Sequence, residues 1–135
     1  MNRPVLVSAA LLSALWLARP VQAHHSFAAE YDADQPITLI GKVARIELVN
    51  PHAWLYLEVA DENGRLVRWN VEMGSPNSLI RRGITKDTVP VGTELTVDGY
   101  RAKDGSNTVN SRTITLGNGQ PLFSGSSGTG APDGR

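Results

Sequence analysis

Two runs of strictly alternating residues, separated by a short polar loop, constrain this chain more than any other feature. From Trp54 to Ala60, Leu55, Leu57 and Val59 alternate with Trp54, Tyr56 and Glu58. From Leu66 to Met73, Val67, Trp69, Val71 and Met73 alternate with Arg68, Asn70 and Glu72. A period of two belongs to strands that bury one face, so the pair reads as a hairpin. Its register follows from the side chains. A two-residue Asn63-Gly64 turn would set Val59 against Arg68 and place apolar residues opposite polar ones along the whole ladder. A three-residue loop, Glu62-Asn63-Gly64, pairs Val59 with Val67 and Leu57 with Trp69, and puts Gly64 at the left-handed position such a loop needs. The other face then sets Glu58 opposite Arg68, Tyr56 opposite Asn70 and Trp54 opposite Glu72.

The remaining segments extend this β pattern. Thr38 to Val49 is rich in β-branched residues, but Ile37, Leu39 and Val43 share one parity while Ile46 and Leu48 share the other. A β-bulge between Val43 and Ile46 reconciles them, and Gly41 suits a strongly coiled strand. Asn50-Pro51-His52 breaks the run, with the next strand starting at Ala53. Ser75-Pro76 reads as an N-cap and first helical position, Leu79 and Ile80 as the apolar contact, and Arg81-Arg82-Gly83 as the end of a short helix. Pro90-Val91-Gly92 turns into a strand over Glu94 to Tyr100, Lys103-Asp104-Gly105 turns again, and Val109 to Leu116 forms a last strand. His24 to Pro36 is aperiodic and reads as an N-terminal arm. The expected fold is all-β: a small five-stranded OB-like barrel, of the oligonucleotide/oligosaccharide-binding type, with one short helix between strands 3 and 4. A two-sheet sandwich is the rival, but it usually needs about seven strands.

The termini set the domain boundaries. Arg3, the apolar Val5 to Leu17 and the small-residue site Val21-Gln22-Ala23 form a cleavable signal peptide over residues 1–23, too short to remain as a membrane anchor. The expected location is the periplasm. Removing 23 of 135 residues leaves 112, one domain over 24–123 with a Gly/Ser-rich, disordered tail over 124–135. Arg3 and Arg19 leave with the signal. The mature chain then carries 11 Lys and Arg against 13 Asp and Glu, which disfavours a nucleic-acid partner. With no cysteine, disulfides, thiolate metal sites and cysteine nucleophiles are excluded.

Two places invite chemistry. His24 becomes the mature N-terminal residue, so its α-amine and ring Nδ1 can chelate one metal ion. His25 adds an imidazole and a backbone amide, and His52, in the loop before the second strand, can complete a nitrogen-rich set suited to Cu(II). The competing reading of these histidines is a frayed end and a loop side chain bonded to backbone. The second place is the outer hairpin face, where Trp54 and Tyr56 beside Glu58, Arg68, Asn70 and Glu72 combine stacking surfaces with hydrogen-bonding groups for a small ligand. Against this, Phe27 and Tyr31 of the arm can lie across the same face and bury it. Glu30, Asp32 and Asp34 on the arm read as solvated acids. No hydrolase elbow, zinc-protease pair or phosphate loop is present, and Arg68 opposite Glu58 makes an ion pair simpler than an acid–base pair with Glu72. No enzyme activity is expected.

His24-His25-Ser26-Phe27, Val49-Asn50-Pro51-His52-Ala53-Trp54, Gly74-Ser75-Pro76-Asn77 and Gly99-Tyr100-Arg101-Ala102-Lys103-Asp104-Gly105 together resemble domain-of-unknown-function family 6152, small exported bacterial proteins. The resemblance runs from His24 to about Phe123. It implies periplasmic export, a compact β-barrel and no established activity, and it points to His24, His52 and Trp54 as a site. The expected function is that of an OB-like periplasmic binding protein, with Cu(II) or another divalent ion held through His24, His25 and His52. Two alternatives stand beside it: a metal-free glycan- or protein-binding scaffold using the aromatic face, and a copper-dependent redox enzyme.

Overall fold

The computed structural model describes residues 27–124. Its elements are α1 (Phe27–Glu30), β1 (Tyr31–Glu47), β2 (Trp54–Ala60), β3 (Leu66–Glu72), α2 (Pro76–Arg81), β4 (Glu94–Ala102), β5 (Thr108–Leu116) and β6 (Pro121–Ser124). The fold is all-β, with two short helices. The strands are ordered β3-β2-β1-β4-β5-β6, and a further β3–β5 pairing brings the ladder back on itself as a ring. Every pairing is antiparallel except β3–β5, which aligns Asn70, Val71 and Glu72 with Thr108, Val109 and Asn110.

The hairpin has the register that the side chains dictate: Val59 opposite Val67, Leu57 opposite Trp69, Glu58 opposite Arg68 and Trp54 opposite Glu72. Gly64 sits at φ 76° in the turn, and its N–H donates to the Asp61 carbonyl. In β1, Val43 pairs with Leu57 and Arg45 with Tyr56, so Ala44 is the extra residue of a bulge. The bulge turns both Val43 and Ile46 inward despite their odd spacing. Gly41 is a close-approach glycine, since a Cβ there would lie 2.6 Å from the Glu58 carbonyl oxygen.

β1 is longer than the β-branched run predicts. It begins at Tyr31 because its first half pairs with β4, Tyr31 with Ala102 and then Pro36 to Lys42 with Tyr100 to Glu94. Between those stretches the register slips, which frees the polar Asp32 to Gln35 from any alternation. The expected arm is therefore a single helical turn followed by a strand. A sixth strand, Pro121–Ser124, also adds to the five expected, pairing with β5. It runs through the expected boundary at 123; residues 125–135 and the proposed signal at 1–23 lie outside the described residues. α2 forms as expected, but Ser75 makes no side-chain cap and Ile80 is exposed, leaving Leu79 as the buried anchor. One apolar cluster fills the ring, with contributions from β1 to β5, Leu79, Ile84 and Val89.

Candidate functional site

β3 ends where burial stops alternating. Val71 faces the main core, and Glu72, next along and on the opposite face, is also buried, at 4% exposure. What covers Glu72 is the N-terminal segment. Phe27 stacks on Tyr31 with ring centroids 5.7 Å apart and meets Tyr100 edge-on at 5.3 Å, forming a second small apolar cluster with Ala102. The β4–β5 turn holds this segment down, Lys103 donating its backbone N–H to the Glu30 carbonyl and its Nζ to the Ala28 carbonyl.

Three side chains converge on the Glu72 carboxylate. The Tyr31 hydroxyl donates to Oε2 at 2.5 Å, and Asn110 Nδ2 donates to the same oxygen at 3.2 Å. His52 Nδ1 lies 2.5 Å from Oε1. Ser111 Oγ donates to the Glu72 carbonyl at 2.7 Å, fixing the backbone beneath. Burial, reinforced by the hydrogen bond to Glu72 and by the Glu72, Glu30 and Asp104 charges, pushes the Tyr31 phenol well above its ordinary value. Tyr31 is therefore a donor throughout the neutral range. In the neutral imidazole the carboxylate holds the His52 proton on Nδ1, which leaves the second ring nitrogen, Nε2, with the lone pair. The imidazole as a whole is 23% exposed.

The structure sorts the expected site residues into three groups. Glu72 and His52, expected at different sites, share one hydrogen bond, and Trp54 is the cross-strand neighbour of Glu72. Trp54 also lines, with Tyr31, Glu30, Lys103, Asp104 and Thr108, a cavity of about 510 Å³. Tyr56 belongs elsewhere: it donates to Glu47 Oε2 at 2.9 Å, and the Arg45 guanidinium lies 4.4 Å over its ring. Glu58 and Arg68 are 3.7 Å apart as an exposed cross-strand ion pair, and Asn70 bonds through its N–H to the Asn107 carbonyl. The six-residue hairpin face is thus not one surface. Its Glu72 end lies beneath Tyr31, while its middle turns to β1.

His24 and His25 lie outside the described residues. Among the described residues no group of three His, Asp or Glu side chains could hold a metal ion, so His52 needs donors from elsewhere to form a metal site. Two residues of the cluster escaped sequence reasoning. Asn110 is a fully buried amide inside a β-branched strand, a polar interruption that marks it only once its neighbour is known. Tyr31 was legible as a cover for the hairpin face but not as a ligand of Glu72.

Fold and site together define a small all-β protein with a buried carboxylate that orients a partly exposed histidine. The chain belongs to the Family of unknown function (DUF6152), whose model matches residues 11–111. No curated protein and no solved structure matches it significantly.

Proposed function

We propose that this protein is an exported, OB-like binding protein that holds Cu(II) between its processed N-terminus and His52, without catalysis of its own. The ring order, with β3 parallel to β5 and β1 shared between β2 and β4, is what a five-stranded OB barrel would have, β6 being an addition. In that architecture the loops after β1 and β4 flank the binding surface. Here those loops carry His52 and Lys103-Asp104-Gly105.

One observation carries the metal reading: Glu72 orients His52 and, through Tyr31, is joined to Phe27. Phe27 is only three residues from His24, and three residues of extended chain span about 10–11 Å. That short tether from Phe27 is what supports a site shared by the His24 amine and imidazole with His52. A ligating histidine whose other nitrogen donates to a carboxylate is the usual arrangement of a metal site, and amine plus imidazole donors suit Cu(II). Periplasmic export through cleavage after Ala23 is part of the proposal, because only cleavage frees the His24 amine. Among the described residues no helix is long and apolar enough to cross a membrane.

The test is a Cu(II) titration of protein beginning at His24, read by electron paramagnetic resonance. One extra alanine before His24, and His52→Ala, should each weaken binding at least tenfold and change the nitrogen hyperfine pattern. Equal binding in all three proteins would overturn the reading. The cavity beside Trp54 supports a second reading, a metal-free site for a glycan or protein segment; binding lost in Trp54→Ala and indifferent to chelator would favour it. Turnover of ascorbate or peroxide by the copper-loaded protein would point instead to a redox enzyme.

A further inference from the structure

A second concave site lies at the β1–β4–β5 ladder, formed by residues outside the Glu72 cluster. It is a cavity of about 290 Å³ lined by Pro36, Ile37, Gly99 and Tyr100 and by the polar Thr38, Asp98 and Arg112. Its shape comes from a bulge. Asp98 pairs with Thr113 and Gly99 with Ser111, so Arg112 is the extra residue, taken out of the β5 alternation. Opposite it, Gly99 lines the cavity. A Cβ on Gly99 would lie 2.2 Å from the Asn110 carbonyl oxygen, so β4 and β5 come this close only without a side chain there.

The charges in this cavity are set apart. Asp98 is held on both oxygens, by Thr38 Oγ1 at 2.5 Å and Thr113 Oγ1 at 3.0 Å. A carboxylate has about four lone-pair sites, so two acceptor positions remain. Arg112 lines the same cavity, and among the described residues its guanidinium has neither a hydrogen bond nor an ion pair, with Asp98 or any other group. An anchored anion and a cation that is unpaired among the described residues, lining one cavity without pairing with each other, complement a ligand that carries both charges. The volume is just below the roughly 300–1,000 Å³ of ordinary small-molecule sites, which favours a single small molecule over a chain.

We propose that this cavity binds a small aliphatic α-amino acid as its zwitterion. The carboxylate is taken by Arg112 through charge-assisted hydrogen bonds, the ammonium by the free positions of Asp98, and the side chain by Pro36 and Tyr100. The site is independent of the metal reading and needs no group outside the described residues.

The experiment is a two-dimensional amide NMR titration of protein beginning at His24 with L-leucine, N-acetyl-L-leucine and isopentylamine. L-Leucine should shift the Thr38, Gly99 and Arg112 amides, and each probe lacking one charge should bind at least tenfold more weakly. Arg112→Gln and Asp98→Asn should each lose at least tenfold in L-leucine affinity. Asp98 also anchors two threonines, so if its variant unfolds the decision rests on Arg112→Gln, at a half-buried bulge. No amide shift with L-leucine, equal binding of N-acetyl-L-leucine, or undiminished binding in Arg112→Gln would each overturn the proposal.

Discussion

Replacing Glu72 by glutamine changes one atom and should disturb the whole cluster. The wild-type carboxylate accepts from the Tyr31 hydroxyl and Asn110 on Oε2 and from His52 on Oε1, and it does so at 4% exposure. A glutamine has one oxygen and one NH₂ in their place. With the NH₂ turned toward Tyr31 and Asn110, the Tyr31 hydroxyl must reverse to accept and the Asn110 amide must flip. The cheaper arrangement keeps the oxygen on Tyr31 and Asn110 and turns the NH₂ to His52, which must then accept on Nδ1 and carry its proton on Nε2. Hydrogen bonds to charged groups contribute about 1.5–3 kcal/mol each, against about 1 for neutral ones. Three bonds weakened in this way cost roughly 2–4 kcal/mol, a large share of the ~5–15 kcal/mol that holds such a domain. For a domain of this size that corresponds to a fall in Tm of about 10–20 °C.

Thermal and urea unfolding at pH 7 measure the loss, and the ¹⁵N shifts of the His52 ring report its tautomer. The mutant should show an unchanged urea slope, a lower midpoint, and the proton moved from Nδ1 to Nε2. It should also lose Cu(II) affinity, because the nitrogen meant for the metal is now protonated. A Tm within about 3 °C of wild type, with His52 still protonated on Nδ1, would refute the claim that Glu72 governs the imidazole.

Four further outcomes follow from single residues. The Tyr31 phenol has its folded-state value raised above the unfolded 10.0, so its contribution is full below pH 10 and is lost as pH rises beyond it; stability should fall through the alkaline range, and Tyr31→Phe should flatten that fall while costing about 1.5–3 kcal/mol at neutral pH. Gly99→Ala should destabilise by about 3 kcal/mol or more, because a Cβ 2.2 Å from the Asn110 oxygen forces β4 and β5 apart. Gly64→Ala, at φ 76° in open space, should cost only about 1–2 kcal/mol; equal losses in chemical denaturation would show the steric argument to be wrong. Asp61 accepts the Asn63 and Arg65 backbone N–H groups, chiefly Arg65, which hold its carboxyl below the ordinary 3.8. Its stabilisation is present above that value and fades as pH falls further, so Asp61→Ala should make the hairpin amides exchange faster at pH 7 than wild type but no faster in strong acid.

Much of the fold was legible because side-chain parity and main-chain pairing agree in it. The Trp54–Glu72 hairpin alternates on both strands, and only one loop length aligns the two patterns. The slip from Val43 to Ile46 announced its own bulge. The first half of β1 was illegible for the opposite reason: Asp32 to Gln35 leave the ladder, so the strand is defined by backbone pairing to β4, which side chains do not encode. Pro121–Ser124 is too short to show a period at all. The hairpin's outer face was ambiguous because an exposed aromatic pair and a covered one have the same sequence. In the structure Tyr31 settles on Glu72, and Tyr56 takes Arg45 and Glu47 from the neighbouring strand.

Glu72 itself shows why the site could not be assembled from sequence. Val71 and Glu72 are adjacent in a strand and both buried, so this end of β3 has no solvent face. Strands buried on both sides normally read as continuous apolar runs, and a glutamate at such a place reads instead as the polar, outward half of an alternation. The misreading is corrected only by Tyr31, 41 residues away, and Asn110, 38 residues away. A buried, paired carboxylate rarely stabilises more than an apolar side chain of equal volume would. Leucine at this position could fill the space under Tyr31 as well. It could not hold the proton of His52 on Nδ1, and that is the one property of the cluster for which packing offers no substitute.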